Sequence, residues 1–253
     1  MKVIHLDLDN TLIYSCRHDI GEQRINVELY QGREISYMTA VSHRLLRQIK
    51  QECLIVPTTT RTKEQYDRID LRAGAFEYAL ICNGGLLLVN GKSDPAWYAA
   101  SRELTADCAG ELQRAIQLLE MEPLRKFEIR FIEELFVFTK CSQPERVVLS
   151  LKKEVDHTLT DVFCNGEKVY VVPKRLNKGT AVRRFRDYVR ADIVLAAGDS
   201  EFDLSMVEEA DIGLVPAGFC KKYRTGGGLK EMKGESVFSD EMLLWMKNLI
   251  YSN

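Results

Sequence analysis

The chain has 253 residues, of which 45% are apolar and 28% charged, so it is long enough for one large domain or two smaller ones and too apolar for a disordered chain. A net charge of -2 gives no electrostatic footing for nucleic acid or for an anionic membrane surface. No apolar run approaches the ~20 residues that cross a bilayer.

The N-terminus lacks the basic region, extended apolar stretch and small-residue cleavage site of a signal peptide. Seven cysteines are scattered without a C-x-x-C pair, which predicts reduced thiols and a cytoplasmic protein. The four histidines, His5, His18, His43 and His157, have no metal-ligand spacing.

In chain order, "VIHLDLD" is the first short apolar run rich in β-branched residues, and it ends in two aspartates. Residues 24–39 alternate at period two around "QGRE", which predicts a β-hairpin, a candidate flap over the end of that first strand. "AVSHRLLRQIKQE" follows as a helix with Val41, Leu45, Leu46 and Ile49 on one face. "CLIVPTTTR" is the next strand, "KEQYDRIDLRAGAF" the next helix, and "YALICNGG" a third strand.

Residues 86–173 break the alternation. "KFEIRFIEELFVFTKC" reads as two antiparallel strands and "QPERVVLSLKKEVD" as a helix with Pro144 in its first turn. "TDVFCNGEKVYVVPK" reads as a hairpin turning at Asn165-Gly166. Helix "KGTAVRRFRDYV", strands "DIVLAAGDS" and "DIGLVP", a glycine-rich loop at 225–236 and a last helix "DEMLLWMKNLI" then resume the pattern. Short continuous apolar runs alternating with helices predict an α/β fold around a parallel sheet. The expected organisation is a Rossmann-like core of residues 1–85 and 174–253, with a smaller α+β domain inserted at 86–173.

Four polar features fall at the ends of the proposed strands: Asp7-x-Asp9-x-Thr11, "TTTR" at 58–61, Lys178 in "LNKGTA", and "GDSEFD" with Asp199 and Asp203. Sites in open parallel sheets lie outside the carboxyl ends of the strands, so these features can converge. Phosphoryl transfer through an aspartate needs such a set. Asp7 is the candidate nucleophile, and Asp9, two residues on, the candidate acid and base. Clustered anions require a hard cation, and Mg²⁺ takes oxygen ligands; Asp7 and Asp199 suit it, with Asp203 as ligand or support. The hydroxyl of Thr59, the ammonium of Lys178 and loop amides are the candidate donors to the phosphoryl oxygens.

The ordered set "DLDNT", "TTTR", the lysine of "NKG" and "GDSEFD" resembles the haloacid dehalogenase superfamily of phosphohydrolases. The resemblance implies Asp7 as nucleophile, Asp9 as general acid and base, and Thr59 and Lys178 on phosphate. It implies Mg²⁺ on Asp7, Asp199, Asp203 and the carbonyl of Asp9. The insert between the second and third motifs is placed like the cap of Cof-like sugar phosphatases and sucrose-phosphate phosphatase. Asn83, of the Asn-Gly leading into such caps, is grouped with the phosphate-binding residues. Phe202 stands where the Cof-like form has asparagine, and the 24–39 hairpin is unusual for that group.

Each motif has a plainer role to weigh: Asp7 and Asp9 as turn caps, Lys178 as a surface lysine, Asp199 and Asp203 as helix N-terminal acids. Arg61, Arg130 and Lys140, with Arg102, are candidates for a substrate's second anionic group, or else solvated charges. "GGLLLVNGKS" lacks the first glycine of a phosphate loop, since position 86 is Leu86. The expected activity is Mg²⁺-dependent hydrolysis of a small phosphorylated metabolite, a sugar phosphate first, by a monomer or homodimer. The alternatives are a phosphomutase using the same carboxylates and a non-catalytic metabolite-binding regulator.

Overall fold

A computed structural model describes residues 1–225 and 227–251. The chain divides into two compact units, residues 1–93 with 178–253, and residues 94–177. These boundaries fall a few residues beyond those read from the sequence; at the first of them, Leu86–Val89 folds back antiparallel on Tyr78–Ile81, and Lys92–Ser93 in turn on Leu88 and Val89, as part of the first unit.

The first unit is built on a parallel five-stranded sheet. Its spatial order is Lys230–Glu231, Ile212–Val215, Ile193–Ala197, Lys2–Leu6, Leu54–Pro57. The register sets Leu6 beside both Ala197 and Pro57, so the chain leaves the sheet at adjacent points after all three. The strands are short and apolar because both faces are covered. Ile4, Leu6, Ile55, Leu195, Ala197 and Leu214 join Leu45, Leu46 and Ile49 of helix Ala40–Ile49 and Met242, Leu243 and Met246 of helix Phe238–Tyr251 in one core. Between them, His5 meets Phe185 of helix Lys178–Val189 edge-on. The α/β class expected from alternation is the one observed.

Four expectations are corrected. Val41 is exposed, and its predicted place on the buried face is taken by Ser42, whose hydroxyl bonds Ser239 at 2.7 Å and also Asp240. The helix expected over "KEQYDRIDLRAGAF" is four residues long, Lys63–Tyr66. Its continuation is captured by the hairpin: Asp70 N–H donates to the Val27 carbonyl at 2.8 Å and Glu28 bridges to Ile69. In the stretch expected as a loop, Lys230 and Glu231 pair with Leu214 and Val215 as the sheet's edge strand; Gly226 of that stretch lies outside the described residues. Tyr78–Ile81 is not paired as a strand of the parallel sheet; it runs beside Leu54–Pro57, joined just past that strand's end by a bridge from Leu80 to Thr58 and by the Thr59 amide, which donates to the Leu80 carbonyl at 2.8 Å. The hairpin itself forms as expected, Arg24–Tyr30 with Arg33–Thr39, turning at Gln31 and Gly32.

The second unit is an antiparallel sheet, in the order Thr160–Asn165, Lys168–Pro173, Phe136–Lys140, Arg130–Ile132. Val137, Val162, Val169 and Val171 bury one face of it against Leu112, Ala115 and Leu119 of helix Ala109–Glu120 and Val147 and Leu151 of helix Pro144–Glu154. Phe138, Tyr170 and Phe163 form an aromatic row in register on the alternate positions.

Candidate active site

The Asp7 amide still donates to the Ala197 carbonyl at 3.0 Å, so the strand's ladder runs one residue past Leu6 and aims the Asp7 side chain from a fixed backbone. The chain then turns sharply: Asn10 adopts a left-handed φ of 61°, and the amides of Thr11, Leu12 and Ile13 all converge on the Leu8 carbonyl. That turn returns the Thr11 hydroxyl to Asp199, to whose Oδ1 it donates at 3.0 Å.

Lys178 begins the helix Lys178–Val189 and is almost wholly buried. Its ammonium donates to Asp7 Oδ1 at 2.5 Å and to Asp203 Oδ1 at 2.6 Å. The other Asp203 oxygen accepts from the amides of Asp199 and Ser200, at 3.1 and 3.0 Å, and from the Ser200 hydroxyl at 2.7 Å, closing a capping box at the start of helix Glu201–Glu209. Glycine is required at 198, where a Cβ would stand 2.2 Å from the Cβ of Asp203. The buried ammonium therefore has a carboxylate on either side, which is what makes burying it tolerable.

Burial pushes the Asp7 carboxyl well above the usual carboxylate range, and Asp203 adds to the rise while Lys178 opposes it. Burial, with Asp203 next, pushes Asp199 up to about 7, against the pull of Thr11 and Lys178. Burial alone would lower the Lys178 pKa, but the Asp203 and Asp7 carboxylates raise it. One ammonium thus faces three carboxylates. Oxygens of Asp7, Asp199 and Asp203 lie within 4.8 Å of one another. An all-oxygen set with excess negative charge fits a hard divalent cation, whose octahedral shell at ~2.1 Å spans about that width.

Asp9 has a different partner. Arg61 donates from Nε to Asp9 Oδ2 at 2.8 Å and from Nη2 to Asp9 Oδ1 at 2.7 Å. The guanidinium's other side donates to Glu28, from Nη1 at 2.8 Å and from Nη2 at 3.0 Å. Arg61, read as a candidate for a substrate anion, therefore has both of its edges on protein carboxylates. Burial lowers its pKa, but Asp9 and Glu28 outweigh burial and raise it. Sequence reasoning missed Glu28; its only signal was an acid inside an otherwise ordinary hairpin strand.

Thr58 and Thr59 of "TTTR" have different partners. Thr58 shares a hydrogen bond of 2.9 Å with His5 Nδ1 and also bonds the Val56 carbonyl. Thr59 is fully buried, and its hydroxyl accepts from the Arg61 amide at 3.2 Å. Asn83 is buried at a φ of 59°, next to Cys82 at 52°, and its amide donates to the Thr59 carbonyl at 3.0 Å, which ties that turn to the motif.

The remaining sequence candidates belong to the second unit. Arg130 pairs with Glu128 at 2.7 Å and lies over the Phe127 ring, as does Lys140. Arg102 pairs with Glu134.

A model of the haloacid dehalogenase-like hydrolases matches residues 97–215, just under half of the chain and including Lys178, Asp199 and Asp203. No curated protein matches by sequence. Among solved structures, the sucrose-phosphatase of Synechocystis sp. PCC6803, in complex with sucrose and phosphate, superposes with a TM-score of 0.65 at 15% identity, over 97% of this chain and 96% of that one. A phosphatase of the haloalkanoate enzyme superfamily from Bacteroides thetaiotaomicron gives 0.58 at 16% identity, over 98% and 94%. A haloacid dehalogenase-like hydrolase from B. subtilis gives 0.61 at 14% identity, over 98% and 100%. The resemblance read from the four motifs is borne out, and the fold is that of these proteins. The enzyme class agrees as well: the family described is one of hydrolases, and phosphatases are among its structural neighbours. No helix among the described residues is long and apolar enough to cross a membrane.

Proposed function

We propose that the protein is a Mg²⁺-dependent phosphatase that hydrolyses a small phosphorylated metabolite, a sugar phosphate first, through an aspartyl-phosphate on Asp7. The observation that carries this reading is the buried Lys178 ammonium held between Asp7 and Asp203 at the carboxyl end of parallel strands, with Asp199 alongside. The choice of a sugar phosphate rests on the structural likeness to a phosphatase solved with sucrose and phosphate.

Asp7, Asp199 and the Asp9 carbonyl would hold the metal, which when bound supplies positive charge to the phosphoryl oxygens. Asp203 supports them, since its oxygens are already given to Lys178 and the 199–200 turn. The Asp7 carboxylate attacks phosphorus, forming the acyl phosphate as the ester P–O bond breaks. Asp9 gives its proton to the departing alkoxide. Asp9, now a carboxylate, takes a proton from water as that water attacks phosphorus; the Asp7–phosphorus bond breaks, phosphate leaves and Asp7 is restored. Lys178 offsets charge at the attacking carboxylate, and Thr59, with Asn83 behind it, faces the phosphoryl oxygens. By its place in the sequence, between the Asn83 turn and Lys178, the second unit is the candidate cap that selects the substrate.

Phosphate release from a panel of phosphorylated metabolites, measured with Mg²⁺ and with EDTA on wild type and Asp7→Asn, tests the reading. Metal-dependent release absent from the variant supports it. Isomerised product without free phosphate would replace it with a mutase.

A further inference from the structure

The hairpin 24–39 carries a carboxylate that the proposed cycle does not use. Glu28 has 2% of its surface exposed, yet it sits on a strand whose neighbours Leu29 and Tyr30 are exposed. A buried carboxylate needs partners, and Glu28 has three. Arg61 binds it with two donors, Ser36 donates its hydroxyl to Oε2 at 2.6 Å, and Arg68 Nε stands 3.4 Å from Oε1. The same guanidinium grips Asp9 with two donors, one of them Nη2, which serves both carboxylates. The fifth N–H points at the Gln65 carbonyl, 3.4 Å away.

We propose that Glu28 is a positioning residue for the reaction: acting through Arg61, it fixes where Asp9 presents its carboxyl to the leaving oxygen. The inference rests on the phosphatase reading above. A free arginine side chain loses much rotamer entropy when it is held in one place. The fork to Glu28 fixes one edge of the guanidinium against the hairpin, so the opposite edge meets Asp9 already aligned. Asp9 is half exposed at its side chain while Glu28 is sealed, so the order of rigidity runs from hairpin to Arg61 to Asp9. Proton delivery is sensitive to about an ångström of misplacement, whereas attack by Asp7 depends on Lys178 and not on this network. The 24–39 hairpin thereby acquires a task in positioning Asp9.

The test uses two esters of one shape, phenyl phosphate and p-nitrophenyl phosphate, the first with the poorer leaving group. The value of kcat/KM stops at formation of the aspartyl-phosphate, so it reports proton delivery only where the leaving oxygen needs a proton. Glu28→Gln removes the charge, keeps the size, and puts an amide donor against the guanidinium. Its kcat/KM is expected to fall about ten times further on phenyl phosphate than on p-nitrophenyl phosphate, with Glu28→Asp recovering part of the loss. Ser36→Ala, which loosens Glu28 without uncharging it, should shift the same ratio in the same direction by a smaller factor, and it serves if Glu28→Gln does not fold. Equal losses on both esters, or a wild-type ratio in both variants, overturn the inference and leave the phosphatase standing. No phosphate release by wild type from either ester or from the metabolite panel overturns both.

Discussion

Asp7 and Asp9 stand two residues apart and each meets a cation, but the cations differ in kind. Lys178 is a point charge sealed between Asp7 and Asp203, with nothing wider than an ammonium between them. Arg61 is a planar fork with one edge on half-exposed Asp9 and the other on Glu28. A nucleophile needs its charge offset and its position fixed, which a buried ammonium achieves. An acid and base must reach a proton outside the cluster, which suits a carboxylate at the surface held by directional bonds. The contrast teaches that one short segment can supply the two proposed roles because its two side chains fall into environments built by different parts of the chain.

The contrast breaks most completely at Asp7. Asp7→Asn should cost at least about a thousandfold in phosphate release, since among the described residues no other carboxylate both accepts from Lys178 and continues a parallel strand. Circular dichroism should find the variant folded, because burial already penalises the charged form of Asp7.

Chelation comes next: EDTA should abolish activity and Mg²⁺ restore it, and activity indifferent to EDTA would refute the metal on Asp7 and Asp199. Lys178→Met sharpens the sealed side. It leaves Asp7 and Asp203 facing one another without the ammonium, so urea unfolding at pH 7 should record a loss of about 3 kcal/mol along with lost turnover. Arg61→Lys, at the half-exposed side, should unfold with a smaller loss than Lys178→Met.

The smallest effect is a control two residues before Asp7 on the same strand. Burial, with Arg186 next, holds His5 down to about 3, below its unfolded value of 6.5. Between those values the unfolded chain binds the proton and the folded one does not, so His5 lowers stability as pH falls from 6.5 towards 3. From pH 6.5 to 4.5 the loss should be about 2–3 kcal/mol larger in wild type than in His5→Gln, read from urea midpoints. The variant's Mg²⁺ dependence should match the wild type's, because the partners of His5 are Thr58 and the Phe185 ring and not the carboxylates.

Much of this was legible in the residues. Polar groups at the ends of apolar runs announce a site in a parallel sheet, and the period-two stretch at 24–39 announced a hairpin. What misled was local pattern without its partners. Val41 fitted the apolar helical face, but helix Phe238–Tyr251 brings Ser239 and Asp240, so Ser42 is buried instead. The helix over "KEQYDRIDLRAGAF" had the right period, but the hairpin's Val27 carbonyl takes the Asp70 amide.

The sequence by itself determined the α/β class, the order of the four motifs and the residue types of the site, because strand and helix periods and strand-end polarity are local properties. Only the tertiary structure decided which cation meets which aspartate. Lys178 lies 171 positions from Asp7, and Arg61 lies 33 from Glu28. No spacing rule spans such separations; sheet register and the hairpin's docking set them, through backbone hydrogen bonds and buried charge that must find its partner.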